Sequence, residues 1–292
     1  MTPRQRFTAI LFCIFAGTPL FFSLLGHLQS WFWLAALLAQ FQLHALVAGL
    51  AFFALAIIDK SRLGLILSLA LTLSATAAIT PVLWHELQAP QAIDTPAAKI
   101  INFNVLSTNP DQASVEAWLR AEQPDVVALI EGNYRWKETV ERLRDILPHS
   151  HMIDHRGNVG MILLSRHPLE NIHDYRTKED YYGAAANNAL TIWPIITADV
   201  NLPAGKVHFI LAHPSVPMTP LKRAMRDAQI HVFGQLVSKS AYPTVLMGDF
   251  NTVPWTSSYL DVMRTQKLYG NLLTSSWPAY LHGFGIAIDQ IL

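Results

Sequence analysis

The sequence predicts a three-helix transmembrane region followed by a soluble α+β domain. Two stretches without a single Asp, Glu, Lys or Arg, Phe7–Ile58 and Leu63–His85, predict the first part. Six short apolar runs after Lys99, alternating with helix-like polar segments, predict the second. Only 14% of the 292 residues are charged, well below the roughly 25% of ordinary soluble domains.

The first uncharged stretch is too long for one crossing of a hydrocarbon core about 30 Å thick. Its weakest point is the polar break Gly26-His27-Leu28-Gln29-Ser30. We therefore place spans near residues 7–25 and 31–58, with a third at 63–83. Gln40, Gln42 and His44 interrupt the start of the second, so Trp31–Leu38 is a candidate interfacial segment. Arg4, Arg6, Lys60 and Arg62 flank the spans on one side. The positive-inside rule puts that side in the cytoplasm and everything after Trp84 outside it. In a bacterium with two membranes the chain would sit in the inner membrane, multi-pass, with a periplasmic domain. No A-x-A-like cleavage site closely follows the first span. Cys13, the one cysteine, excludes a disulfide framework and a thiolate zinc cluster.

Residues 86–98 are rich in Pro and Ala, lack periodicity, and read as a linker. Strands are predicted at Lys99–Asn104, Asp125–Glu131, Val159–Ser165, Lys206–His213, Thr244–Asn251 and Ile286–Leu292. Helices are predicted at Asp111–Ala121, Asn133–Leu147 and Pro220–Ser238, with Asp111 as a cap. Domain boundaries follow as 1–85, 86–98 and 99–292.

Five of the six strand runs carry polar residues at or near one end: Asn104, Glu131, His213, Asp249, Asn251 and Asp289. One such residue is usually a turn former. If the strands share a common rim, the set supplies carboxylates for a hard divalent cation and one carboxylate to deprotonate water. It also supplies amides and an imidazole for an anionic oxygen. That inventory fits metal-assisted phosphoester hydrolysis.

Gly248-Asp249-Phe250-Asn251, directly after an apolar strand, is the most specific segment. Together with the other strand ends, residues 99–292 resemble the endonuclease/exonuclease/phosphatase superfamily, the deoxyribonuclease I-like group, and within it a bacterial membrane-anchored subgroup. The resemblance implies a four-layer α/β/β/α sandwich. It implies that Asn104 and Glu131 bind Mg²⁺, or Mn²⁺ in its place. It implies that His213 contacts the scissile phosphate, Asp249 activates water and Asn251 orients the phosphate. Asp289 matches the aspartate that holds a catalytic histidine. In the family that histidine belongs to a Ser-Asp-His triplet on a last strand. No Ser-Asp-His occurs in this sequence, and Gln290 stands where many relatives have His or Tyr. Ending inside an apolar strand leaves a raw sheet edge, so the reading favours an incomplete chain, with the last strand lacking. The alternative is a membrane-tethered binding module on an impaired scaffold.

Other signals carry plainer readings. His149-Ser150-His151-Met152-Ile153-Asp154-His155 departs by one residue from a zinc-binding pattern and reads as a solvated His-rich loop. Arg135, Lys137, Arg142 and Arg144 read as a salt-paired helix face, and Lys222, Arg223 and Arg226 as a solvated one. Tyr181, Tyr182, Asn187 and Asn188 form a polar loop able to line a cleft. Trp255 and Trp277 read as packing residues. The substrate is a phosphate ester, with lipid headgroup, nucleotide and nucleic acid undecided. The part after residue 90 holds 17 basic and 19 acidic residues, which gives no support for long nucleic acid. The lipid bilayer is the other expected partner, and no protein partner is inferable.

Overall fold

A computed structural model describes residues 3–90, 98–155, 157–175, 193–270, 273–281 and 283–292. Most of the expected linker and the Tyr181–Asn188 loop lie outside these residues.

The apolar N-terminal region is helical. A continuous helical path runs through α1 (Pro3–Phe12), a π turn (Cys13–Gly17) and α2 (Thr18–Gly26). It stops where the polar break was expected. Then come α3 (Trp33–Ala39) and α4 (Gln42–Ile58), which meet at a 56° bend, and α5 (Arg62–Glu86). Gln5–Gly26 and α5 are each long and apolar enough to cross a membrane. The bent pair makes a third if taken as one span.

A polar network sits just after the bend. Gln42 cannot stay unpaired in an apolar helix bundle without a penalty. Its Nε2 donates to the Ser23 carbonyl at 2.9 Å, and its Oε1 accepts from Ser23 Oγ at 2.7 Å. Ser74 Oγ joins Ser23 Oγ at 2.8 Å, and His27 Nε2 meets the Ser74 carbonyl at 3.0 Å. α2, α4 and α5 are thus tied together through Ser23.

The second part is a pair of sheets. Sheet one has the order β1-β2-β4-β3, with β1 (Ile100–Asn104), β2 (Val126–Ile130), β3 (His149–Ile153) and β4 (Met161–Ser165). Sheet two runs β5-β6-β7-β8-β9: β5 (Leu169–Tyr175), β6 (Ile195–Leu202), β7 (Gly205–Ala212), β8 (Thr244–Asp249) and β9 (Asp289–Ile291). The helices are α6 (Gln112–Glu122), α7 (Lys137–Arg142), α8 (Pro220–Lys239) and α9 (Ser257–Gln266).

Alternation along the strands builds the layers. Val126, Ala128 and Ile130 face Ile196, Ala198, Phe209 and Leu211 of the other sheet. Val127 and Leu129 point the opposite way, onto Val115, Leu119, Trp136 and Val140 beside α6 and α7. Ile195, Ile210 and Leu246 pack on Ile230, Phe233 and Tyr259 of α8 and α9. The result is the expected α/β/β/α sandwich. Each fully buried aliphatic or aromatic side chain contributes roughly 1.5–3 kcal/mol.

Some expectations need correction. The His-rich segment is not a loop: its first five residues form the edge strand β3, and His151 Nε2 meets Asp174 Oδ1 of β5 at 2.6 Å. Among the described residues no group of three or more His, Cys, Asp or Glu is gathered to hold a metal ion. The helix expected at Asn133–Leu147 is shorter: a 3₁₀ turn (Tyr134–Trp136) capped by the Asn133 side chain, then α7 ending at Arg142. The salt-paired face is present, with Arg142 Nε 2.6 Å from Glu116 and Arg120 Nη1 2.7 Å from Asp145.

The helical region and the sandwich share a seam. Ile79 and Val82 of α5 belong to the same apolar core as α8 and α9. Trp255 Nε1 donates to the Ala39 carbonyl at 2.6 Å, and Arg264 Nη2 to the Pro81 carbonyl at 3.0 Å. His85 Nε2 donates to the Leu268 carbonyl at 2.7 Å.

Candidate active site

Strand direction decides where the polar ends go. β1 and β2 are parallel, with Asn104 opposite Ile130, so Asn104 and Glu131 leave sheet one together. β7 and β8 are parallel, with Ala212 opposite Gly248, so His213 and Asp249 leave sheet two together. β9 runs the other way and enters at the same place, with Asp289 opposite Asp249. Asn102 Nδ2 ties the sheets by donating to the Gly248 carbonyl at 3.0 Å.

All six expected residues line one cavity of about 700 Å³. Asn104 is its hub: Nδ2 donates to Glu131 Oε1 at 3.2 Å and to Asp249 Oδ2 at 3.0 Å. Glu131 Oε2 accepts from the Ser107 amide at 3.0 Å. Asp249 Oδ1 accepts from the Asn251 amide at 2.9 Å, while Asn251 Nδ2 donates to the Pro214 carbonyl at 2.9 Å. His213 Nε2 lies 3.9 Å from Asp249 Oδ2. Its ring meets the Trp193 edge at 5.0 Å.

The backbone is bent to hold this set. Glu131 has φ +64° and Asn251 φ +49°, left-handed values uncommon outside glycine and concentrated at functional sites. Gly248 has φ +154°, and a Cβ there would fall 1.8 Å from the Ala212 carbonyl oxygen. Only glycine lets β8 come this close to β7 just before Asp249.

The electrostatics are unsettled in a way ordinary structure avoids. Burial pushes Asp249 up to about 6, against hydrogen bonds from Asn251 and Asn104 that hold it down. Burial, then the Asp249 charge, pushes Asp289 up to about 7. Burial drives His213 down to about 4, so its imidazole is neutral near pH 7. Among the described residues Asp289 Oδ1 is buried without a hydrogen-bond partner. Oxygen donors with excess negative charge are what Mg²⁺ or Mn²⁺ takes. Glu131, side by side with Asn104, therefore fits a hard divalent cation.

Several cavity residues were not foreseen. Asn158 and Ser276 line it from loops. Leu37, Gln40 and Phe41 line it from the α3–α4 bend, more than 60 residues from any other part of the site. Trp277, expected to be packed, is 55% exposed and lines the cavity. Arg226, expected to be solvated, is buried, with Nε and Nη2 on Asp227 and Nη1 3.5 Å from the Asn251 carbonyl. It braces the site from behind.

Two mixed sheets face to face between helix layers, with acids and amides gathered at their shared rim, define a deoxyribonuclease I-like sandwich. Residues 101–292 match the model of the Endonuclease/Exonuclease/phosphatase family, and the chain belongs to that family. The human Nocturnin catalytic domain, solved with bound sulfate, has the same fold at TM-score 0.51 and 16% identity. That match covers 68% of this chain and 83% of that one. An endonuclease/exonuclease/phosphatase from Beutenbergia cavernae matches at TM-score 0.48 and 19% identity, over 66% of this chain and 63% of its own. Sphingomyelinase C from Streptomyces griseocarneus matches at TM-score 0.48 and 17% identity, over 68% and 84%. No curated protein matches the chain.

Proposed function

We propose that the protein is a membrane-anchored, metal-dependent phosphoesterase that hydrolyses its substrate with an activated water. The observation that carries this reading is the Asn104 amide, which joins Glu131 and Asp249 across two sheets inside one cavity. A bound Mg²⁺ or Mn²⁺ would act as a Lewis acid on a phosphoryl oxygen. Glu131, beside Asn104, would hold it.

The remaining steps belong to protein side chains. Asp249 takes the proton of the attacking water, and burial makes it a better base than an exposed aspartate. Asn251 sits two residues on, its backbone fixed by Asp249, and steadies the phosphate. Neutral His213 donates to a phosphoryl oxygen without adding a charge that the acids would trap. Asp289 offers an unpartnered oxygen as acceptor for an imidazole N–H, the role its family match implies.

Residues 1–85 form the anchor in this reading, with the domain at 99–292 on the far side of the inner membrane from the cytoplasm. The test is hydrolysis of bis-p-nitrophenyl phosphate by the full chain in nanodiscs with Mg²⁺. We expect turnover that EDTA abolishes and that excess Mg²⁺ restores. Turnover indifferent to EDTA sinks the metal assignment. Phosphate binding without turnover favours the binding-module alternative.

A further inference from the structure

We infer that the substrate is an amphiphile: a phosphate ester carried on the hydrocarbon tail of a membrane lipid. This rests on the phosphoesterase reading and narrows it.

The cavity is made by two kinds of wall. One is the acid and amide rim of the sandwich. The other is Leu37, Gln40 and Phe41, at the bend between α3 and α4. These residues come from the bent α3–α4 pair, which is long and apolar enough to cross a bilayer if taken as one span. Phe41 also lines a second cavity, of about 370 Å³, between α2 and α4. Phe22, Leu38, Ala45 and Ala48 surround that space. One exposed aromatic side chain thus lines both the cavity that holds the acids and an apolar one.

The mouth agrees with this. Met218 and Trp277 line the catalytic cavity and are 57% and 55% exposed. An exposed apolar rim marks an interaction site. The charge census points the same way. Among the described residues that line the cavity there is no Lys or Arg. A groove that tracks a nucleic-acid backbone needs such cations. An ester at the edge of a bilayer does not, because its tail supplies the binding energy. Each further buried CH₂ multiplies affinity by about fourfold.

The experiment uses the full chain in nanodiscs with Mg²⁺. Substrate pairs differ only in the tail: dioleoyl against dibutyryl phosphatidic acid, phosphatidylglycerol and phosphatidylethanolamine. We expect at least one headgroup to show a long-chain over short-chain preference in kcat/KM of about tenfold or more. Phe41→Glu should shrink that ratio. Met218→Glu should shrink it too, and its exposed position spares the fold. Equal rates for both tails, with bis-p-nitrophenyl phosphate still hydrolysed, overturn the inference and leave the phosphoesterase. A single-stranded oligonucleotide cleaved faster than every lipid overturns it as well. If no ester is hydrolysed, the phosphoesterase reading fails instead. Hexadecylphosphonate against methylphosphonate, compared by thermal shift, then decides the amphiphile site: tighter binding of the long chain that Phe41→Glu removes supports it, and equal binding ends it.

Discussion

Two polar clusters differ in how they are satisfied, one among the N-terminal helices and one at the shared rim of the two sheets. Among the helices, Ser23, His27, Gln42 and Ser74 bond to one another, and none leaves a buried nitrogen or oxygen unmatched. At the sheet rim, Asn102 Oδ1, Asp289 Oδ1 and Gln290 Oε1 are buried without partners. There Asp249 and Asp289 hold their protons more tightly than exposed acids do. An unmatched buried group costs about 1–3 kcal/mol. A fold tolerates that where something else completes the set. The first cluster fixes a shape; in the proposed function a cation and a phosphate complete the second.

The largest effect separates the clusters by activity. Asp249→Ala should lower turnover of a soluble phosphodiester by roughly a hundredfold to ten-thousandfold, since positioned proton transfer is worth that much. Steady-state rates at saturating Mg²⁺ check it, and wild-type turnover in the variant removes Asp249 as the base.

The next effect is electrostatic. The folded chain raises Asp289 from its ordinary 3.8 to about 7. Its contribution to stability is then complete below about pH 4 and lost as pH rises through about 7. His213 is lowered from 6.5 to about 4, so it gains stability with rising pH over that window. The measurement is therefore a difference: in EDTA, wild type minus Asp289→Asn melting temperature should decline from pH 4 to pH 7. A flat difference would show that the rim is no more strained than the helical cluster.

Smaller effects probe the matched cluster and the seam. Gln42→Ala breaks both bonds to Ser23 and should destabilise the chain by about 1 kcal/mol, typical of polar contacts between membrane helices. Equilibrium unfolding in mixed micelles reads it, and soluble-diester turnover should change far less than with Asp249→Ala. Trp255→Phe removes one bond to the Ala39 carbonyl and should cost about 0.5–1.5 kcal/mol. No change in unfolding would mean that apolar packing alone holds the seam.

Much of this was legible from side-chain chemistry at strand ends. Asn104, Glu131, His213, Asp249, Asn251 and Asp289 were readable as a set because a buried strand has no reason to finish in such residues. Strands β1, β2, β4, β7, β8 and β9 were readable because their apolar runs are dense, whereas β6, buried along most of Ile195–Leu202, was not among the predicted strands. The edge strand β3 was hidden, since a half-exposed strand of His and Ser looks like a loop. Helix α9 was missed because its ten residues show only Tyr259, Leu260, Val262 and Met263 as a buried face. The cavity wall at Leu37, Gln40 and Phe41 was not legible at all. It arises from packing between residues far apart in sequence, fixed by contacts spanning 216 and 240 positions, and no local pattern encodes that.

The α5 contact has one more consequence. An enzyme hung on a loose tether sweeps a hemisphere above its anchor and meets targets at any distance within reach. Ile79 and Val82 instead root the sandwich to the last helix. Under the proposed membrane anchoring, the cavity is then held at one altitude, and depth in the bilayer becomes a property that the fold itself selects.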